Sequence, residues 1–235
     1  VPEGGIDKIG FNRSPISLTD IALNPFEESD GGFGIPYSVS ANGGVTLVTG
    51  ETEDLEGWTN DDGSFFALLD VNTSEEIPDE ICCVFNEILV GVKLPTSMPN
   101  LSGASYRLYG IAAGADETGT SEVFTFGSDS TLTFDASAAS ATSSVSLRGF
   151  ERDTDVASVN SFSGDDAASD SQLFEFFSPI DAMGKIEMTS QDSTSVTHLT
   201  GFVSADAKVI IFRLESIEED DSVFRNIGLI IAVLQ

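Results

Sequence analysis

The sequence is poor in the residues that usually advertise chemistry. Among 235 residues there is one histidine, His198, and the two cysteines are neighbours, Cys82-Cys83. So few sulfur and imidazole ligands argue against a zinc site and against a disulfide framework. Adjacent Cα atoms are ~3.8 Å apart, below the ~4.4–6.8 Å that disulfides favour, so a bridge within the pair would be strained. Three arrangements stay open: a strained vicinal disulfide, bonds to another subunit, or two reduced buried thiols. Gly-x-Ser-x-Gly elbows and glycine-rich phosphate loops are absent as well, which removes the usual signatures of a serine hydrolase or nucleotide enzyme. His198 sits beside Leu199 on an expected strand and reads as a surface residue rather than a general base.

Positive charge is also scarce. Ten basic residues face 39 carboxylates, for a formal charge of -29, and such a field repels nucleic acid and anionic lipid. No apolar run approaches the ~18 residues of a membrane-spanning helix, so membrane insertion is not expected. The sequence begins Val1-Pro2, which suits a secreted product freed of its signal peptide. Acidity of this degree suits solubility in a saline or extracellular setting, and calcium binding is the sharper reading of it. The candidate ligands are Glu75, Glu76, Asp79 and Glu80 in an acidic loop at Asn72–Glu80, and Glu218, Glu219, Asp220 and Asp221 in a second at Glu215–Asp221.

What is present is alternation. Apolar residues make up 40% of the chain, enough to bury a core, and no segment keeps a helical period. Expected strands are Ile16–Ala22, Tyr37–Ser40, Val45–Thr49, Leu55–Thr59, Ser64–Val71, Ile88–Leu94, Gly103–Ala113, Ser121–Phe126, Ser130–Asp135, Ser143–Phe150, Leu173–Ser178, Lys185–Thr189, Val196–Val203, Lys208–Leu214 and Asn226–Leu234. Leu132, Phe134, Val145 and Leu147 are inward candidates. Asn24-Pro25, Asp30–Gly34 and Asp62-Gly63 are loop or turn signals. Ala136–Ser144 is rich in Ala and Ser and could hold a turn of helix, and Asp153–Asp170 reads as a long polar loop.

The chain also repeats itself at an offset of about 140 residues. Leu199, Gly201, Phe202 and Asp206 repeat Leu55, Gly57, Trp58 and Asp62, and Val39-x-Ala41-x-Gly43-x-Val45 mirrors Ile180-x-Ala182-x-Gly184-x-Ile186. The pairing of Trp58, the sole tryptophan, with Phe202 argues for core packing of Trp58 rather than a sugar platform. An all-β fold follows, of antiparallel sandwich or barrel modules with almost no helix: residues 1–95 form a first, incomplete module and residues 101–235 a second, joined by a linker at Pro95–Leu101.

The order Leu101-x-Gly-x-x-Tyr106, Leu132-Thr-Phe-Asp135, Ile180-x-Ala-x-Gly-Lys-Ile186, Leu199-x-Gly-Phe-x-Ser-x-Asp206 resembles the lipocalin-like or avidin-like β-meander modules repeated in secreted bacterial proteins. The resemblance implies an up-and-down barrel or sandwich and a secreted location, with no catalytic residues to transfer.

Three functional classes follow. The favoured one is a non-enzymatic, extracellular structural subunit, a homopolymer built through strand edges. Ile16, Leu18 and Ile21 or Ile227, Leu229, Ile231 and Val233 would be its donor strands, because a module short of strands exposes unpaired backbone. The alternative is a secreted barrel holding a small apolar ligand. It ranks second because Phe65-Phe66, Phe174, Phe176-Phe177 and Ile210-Ile211-Phe212 would fill a barrel interior. An enzyme without a signature ranks third. Sequons at Asn12, Asn72 and Asn100, each expected in a loop, make glycosylation a minor expectation.

Overall fold

The computed structural model describes residues 6–13, 23–30, 37–47, 55–60, 63–71, 86–116, 120–152, 159–164, 172–191, 195–219 and 223–235. Every regular element among them is a β-strand, as the period-two alternation requires. The chain divides into two compact units, Val1–Gly91 and Val92–Gln235.

In the first unit β1 (Ile6–Arg13) pairs antiparallel with β2 (Leu23–Asp30), placing Asn12 opposite Asn24 and Phe11 opposite Pro25. The expected loop at Asn24-Pro25 and the loop position of the Asn12 sequon are therefore both corrected. Every strand of a two-stranded sheet has a free edge, so a proline without an N–H is tolerated there. The strands β3 (Tyr37–Val39), β4 (Gly44–Leu47), β5 (Leu55–Thr59), β6 (Phe65–Val71) and β7 (Asn86–Val92) form a second sheet in chain order. Gly57 of β5 lies opposite Leu68, where a Cβ would come within 1.9 Å of the Ala67 carbonyl oxygen. Its neighbour Trp58 therefore points the other way and is 70% exposed, which overturns the core role expected of it. Ile16, Leu18, Ile21 and the remainder of the expected Ile16–Ala22 strand lie outside the described residues, as do Cys82, Cys83, Glu75, Glu76, Asp79, Glu80 and Asn72.

The second unit contains β8 (Ser105–Asp116), β9 (Ser121–Phe126), β10 (Thr131–Phe134), β11 (Ser140–Ser144), β12 (Leu147–Arg152), β13 (Val159–Gly164), β14 (Gln172–Ser178), β15 (Lys185–Gln191), β16 (Ser195–Val203), β17 (Val209–Glu219) and β18 (Val223–Leu234). The order β10-β11-β14-β15-β16-β17-β18-β8 closes on itself, because β10 also pairs with β8. The result is an eight-stranded antiparallel barrel. From β8 a flap of three further strands, β9-β12-β13, branches off.

The branch has a local cause. The first residues of β8 pair with β10, Tyr106 opposite Leu132, while its later residues pair with β9, Ala112 opposite Phe124. Between these two partners the chain is pinned by Ser130 and Ser146. The Ser146 N–H donates to Ser130 Oγ at 3.0 Å, the Gly127 N–H donates to the Ser146 carbonyl at 2.7 Å, and Ser146 Oγ donates to the Asp129 carboxylate at 2.6 Å. That last bond is the main reason the Asp129 carboxyl is held below its usual range. On one side of the pin β11 continues the barrel wall, with Ser143 opposite Gln172 of β14. On the other side β12 pairs with β13, and among the described residues no strand joins β13 to β14.

The floor of the barrel is solid. Tyr106, Phe134, Ile186, Met188, Val203 and Ile210 are all buried, Tyr106 meets Phe134 edge-on with centroids 5.7 Å apart, and Phe176 packs on Phe134. The Tyr106 hydroxyl donates to the Ala207 carbonyl at 2.6 Å; burial, with Asp206 nearby, pushes its pKa up to about 12. Tight turns close this end. Asp135 accepts from the Ala139 N–H and from Ser137, bonds from Ser137 first and Ala139 next that hold its carboxyl low. Asp181 accepts from the N–H groups of Met183 and Lys185. Ala207 takes φ +58° in the turn before β17, just as Gly63 takes φ +67° before β6.

Several expectations change here. Ala136–Ser144 is a turn followed by β11, because its small residues alternate, with Ala141 and Ser143 inward and buried. The expected loop Asp153–Asp170 contains β13, which finds a partner in β12. Pro95–Leu101 is irregular but packs onto the second unit: Leu101 is fully buried in the barrel core, and the Ala205 N–H donates to the Lys93 carbonyl.

Candidate functional site: a cavity in the upper barrel

Alternation decides what faces the interior. Along β17 the inward residues are Ile210, Phe212, Leu214, Ser216 and Glu218, and on β16 they are Thr197, Leu199, Gly201 and Val203. Phe65-Phe66 belongs to β6 of the first unit, and of the adjacent residues on β14 and β17 only alternate members point in. Phe176 points in while Phe177 is 79% exposed, and Ile211 lies on the outer face between inward Ile210 and Phe212. The expected filling of the barrel is thereby roughly halved, which corrects the reason for ranking a cavity low. Small residues reduce it further, for Gly228 of β18 lies opposite Ala112 of β8, and Gly114 opposite Asn226.

What remains is a cavity of about 170 Å³ in the upper half. Leu108, Phe124, Phe126 and Leu132 line it from β8, β9 and β10, and Val145 and Leu147 from the flap side. Phe174, Leu199, Phe212, Leu214 and Ile230 complete the apolar wall. The polar groups are Ser143, Gln172, Thr197, Ser216, Glu218 and Asn226, gathered toward the end away from the Tyr106 floor. Thr197 Oγ1 donates to Ser216 Oγ at a long 3.4 Å. Ser143 Oγ and Asn226 Oδ1 are buried without a partner. An engineered apolar cavity of ~150 Å³ stays dry and admits benzene, so this volume suits a molecule of one ring.

The other candidate residues are distributed as follows. Glu218 and Glu219 end β17 as strand residues, so the expected acidic loop at Glu215–Asp221 is corrected to strand as far as Glu219. The strand extends because Glu215, Ser216 and Glu218 find partners Ile227, Asn226 and Phe224 on β18. Asp220 and Asp221 lie outside the described residues. Among the described residues no group of three or more His, Cys, Asp or Glu side chains gathers. His198 is exposed, opposite Thr189 and Glu215 in the sheet. Ile227, Leu229, Ile231 and Val233 belong to β18, which is paired along its length with β17 and with β8. That placement corrects their role as a free donor strand, since both edges already have partners within the chain. Asn100 is exposed in the irregular segment before β8.

Sequence reasoning passed over Ser143, Thr197, Ser216 and Asn226. The available signal was a polar residue at an inward position of an alternating strand, as in Phe224-x-Asn226-x-Gly228-x-Ile230 and Ala141-x-Ser143-x-Val145. No protein-family model matches the chain, and no curated protein sequence matches it.

Proposed function

We propose that the second unit is a non-catalytic binding module that holds a small apolar molecule in the upper barrel. The carrying observation is the 170 Å³ cavity walled by Phe124, Phe126, Phe174 and Phe212, because burying an apolar ligand against such walls is favourable. Toluene is the probe. In the full chain it raises the melting temperature, since a ligand selective for the folded state stabilises it, and Ser216→Phe, which fills the cavity, removes the shift. Toluene without effect on the parent protein overturns the reading. A secreted or cell-surface location, a repeated β module and kinship with lipocalin-like or avidin-like modules belong to the same proposal. Supporting them are the acidity and the matching turns before β6 and β17.

A second reading, self-assembly, is favoured by the outer face of the barrel. Tyr109, Ile111, Val123 and Phe150 are each 45–61% exposed on adjacent strands, an apolar stripe unusual on so acidic a chain. In this version copies meet face to face rather than by strand donation. Sedimentation that shifts with concentration, and ceases to do so in Ile111→Lys, supports it; a monomer at all concentrations removes it.

A further inference from the structure

The cavity is not uniformly apolar, and its polar atoms carry information about the ligand. Ser143 and Asn226 are 2% and 4% exposed, both line the cavity, and Ser143 Oγ and Asn226 Oδ1 have no hydrogen-bond partner. A buried polar atom left without a partner costs free energy, so natural interiors rarely keep one. Two such residues in the lining of one cavity point to a partner that arrives from outside. Arg213 occupies an outward position of β17, where its guanidinium reaches Glu215, and it plays no part here.

The local sequence makes room for the Asn226 amide. Gly114 stands opposite it on β8, and a Cβ there would lie 1.8 Å from Asn226 Oδ1. Any side chain at position 114 would displace the amide. Ser143 occupies the corresponding inward place on β11, between Leu132 and Gln172. The two atoms thus belong to separate strands of one wall system, one an amide oxygen and the other a hydroxyl.

Resting on the binding role proposed above, we infer that the ligand is a neutral, single-ring alcohol or phenol. Volume sets the ring, for about 170 Å³ is a little more than the ~150 Å³ that admits benzene. A hydroxyl suits the polar pair because it both donates and accepts: it donates to Asn226 Oδ1 or accepts from Ser143 Oγ, and it would serve equally if the amide were turned end for end. Anions are disfavoured by Glu218 in the same lining and by the net charge of -29. A cation would have to surrender its hydration among phenylalanines.

The test compares p-cresol, p-xylene, benzoate and benzylamine, titrated calorimetrically into the full chain. The first two differ by a hydroxyl in place of a methyl. The expected result is that p-cresol binds more tightly than p-xylene, that benzoate does not bind, and that benzylamine is weaker than p-cresol. In Asn226→Leu with Ser143→Ala the preference for p-cresol over p-xylene falls about tenfold, while p-xylene binding and the melting transition show that the fold and cavity survive. If that double variant does not fold, Ser143→Ala alone and the preference of the parent protein decide the matter. Binding of p-xylene as tight as or tighter than p-cresol in the parent, or an unchanged preference in the folded variant, overturns the hydroxyl assignment and leaves the cavity reading standing. Benzylamine or benzoate bound more tightly than p-cresol overturns the neutral class. No binding by any of the four overturns the binding role itself.

Discussion

The lower and upper halves of the barrel are cut from the same strands, yet one is solid and the other hollow. On β17, Ile210 is fully buried at the floor while Ser216 and Glu218 line the cavity; on β18, Ala232 sits low and Asn226 high. The floor has long apolar side chains at inward positions and short turns organised by Asp135, Asp181 and Asp206. The upper half intersperses Ser143, Thr197, Ser216 and Asn226 among its inward apolar residues, and there the wall forks at Ser130 and Ser146. Inward side-chain size, with the point where the wall divides, therefore decides where an eight-stranded barrel keeps space.

Truncation gives the largest contrast. Phe134→Ala, at a 2% exposed floor position packed on Tyr106, should destabilise the second unit by about 3–5 kcal/mol. Leu147→Ala, at a half-buried position on the cavity wall, should cost less than half as much. Urea denaturation of the full chain measures both, and equal costs would erase the distinction between the halves.

Alkaline titration tests the floor alone. The Tyr106 pKa is raised from 10.0 to about 12, so its neutral form is favoured by folding. The associated stability is complete below about pH 10 and is lost as pH rises toward 12, because the unfolded phenol gives up its proton first. Melting temperatures measured from pH 9 to 12 should fall less steeply in Tyr106→Phe. Parallel curves would show that the buried phenol contributes nothing.

Smaller changes are expected in the cavity and at the floor turn. Asn226→Leu removes the unpartnered amide oxygen and should raise stability by about 1 kcal/mol in the absence of ligand; a loss of stability would mean that the amide is satisfied. Ala207→Gly relieves a positive φ of 58°, a gain partly offset by the glycine's greater entropy when unfolded, so about 0.5 kcal/mol is expected. A destabilised Ala207→Gly protein would mean that the methyl, packed against the core, outweighs the strain.

Strand positions were legible because a half-buried strand writes its alternation into the chain, as in Leu132-Thr-Phe134 or Thr197-His-Leu199-Thr-Gly201. The hidden strands were those whose inward residues are small or whose composition reads as loop. Ala141 and Ser143 carry too little apolar contrast to announce β11, and Asn24-Pro25 signals a turn unless a partner strand takes its backbone. For the candidate site, Phe174 and Phe212 were visible as inward residues, but outward Phe177 and Ile211 were counted with them. The polar wall residues were readable only once strand parity was known.

The sequence by itself determined that this protein is all-β and antiparallel, since periodicity and turn chemistry are local properties of neighbouring residues. It also determined the acidic surface, because charge is additive along the chain. Tertiary structure alone decided that β10 closes onto β8, that β12 leaves the wall at Ser146, and that Asn226 and Ser143 line one cavity. Those outcomes depend on pairings between residues far apart in the chain. A one-residue change of register would turn each strand's inward set outward, so only the assembled barrel fixes which side chains share the interior.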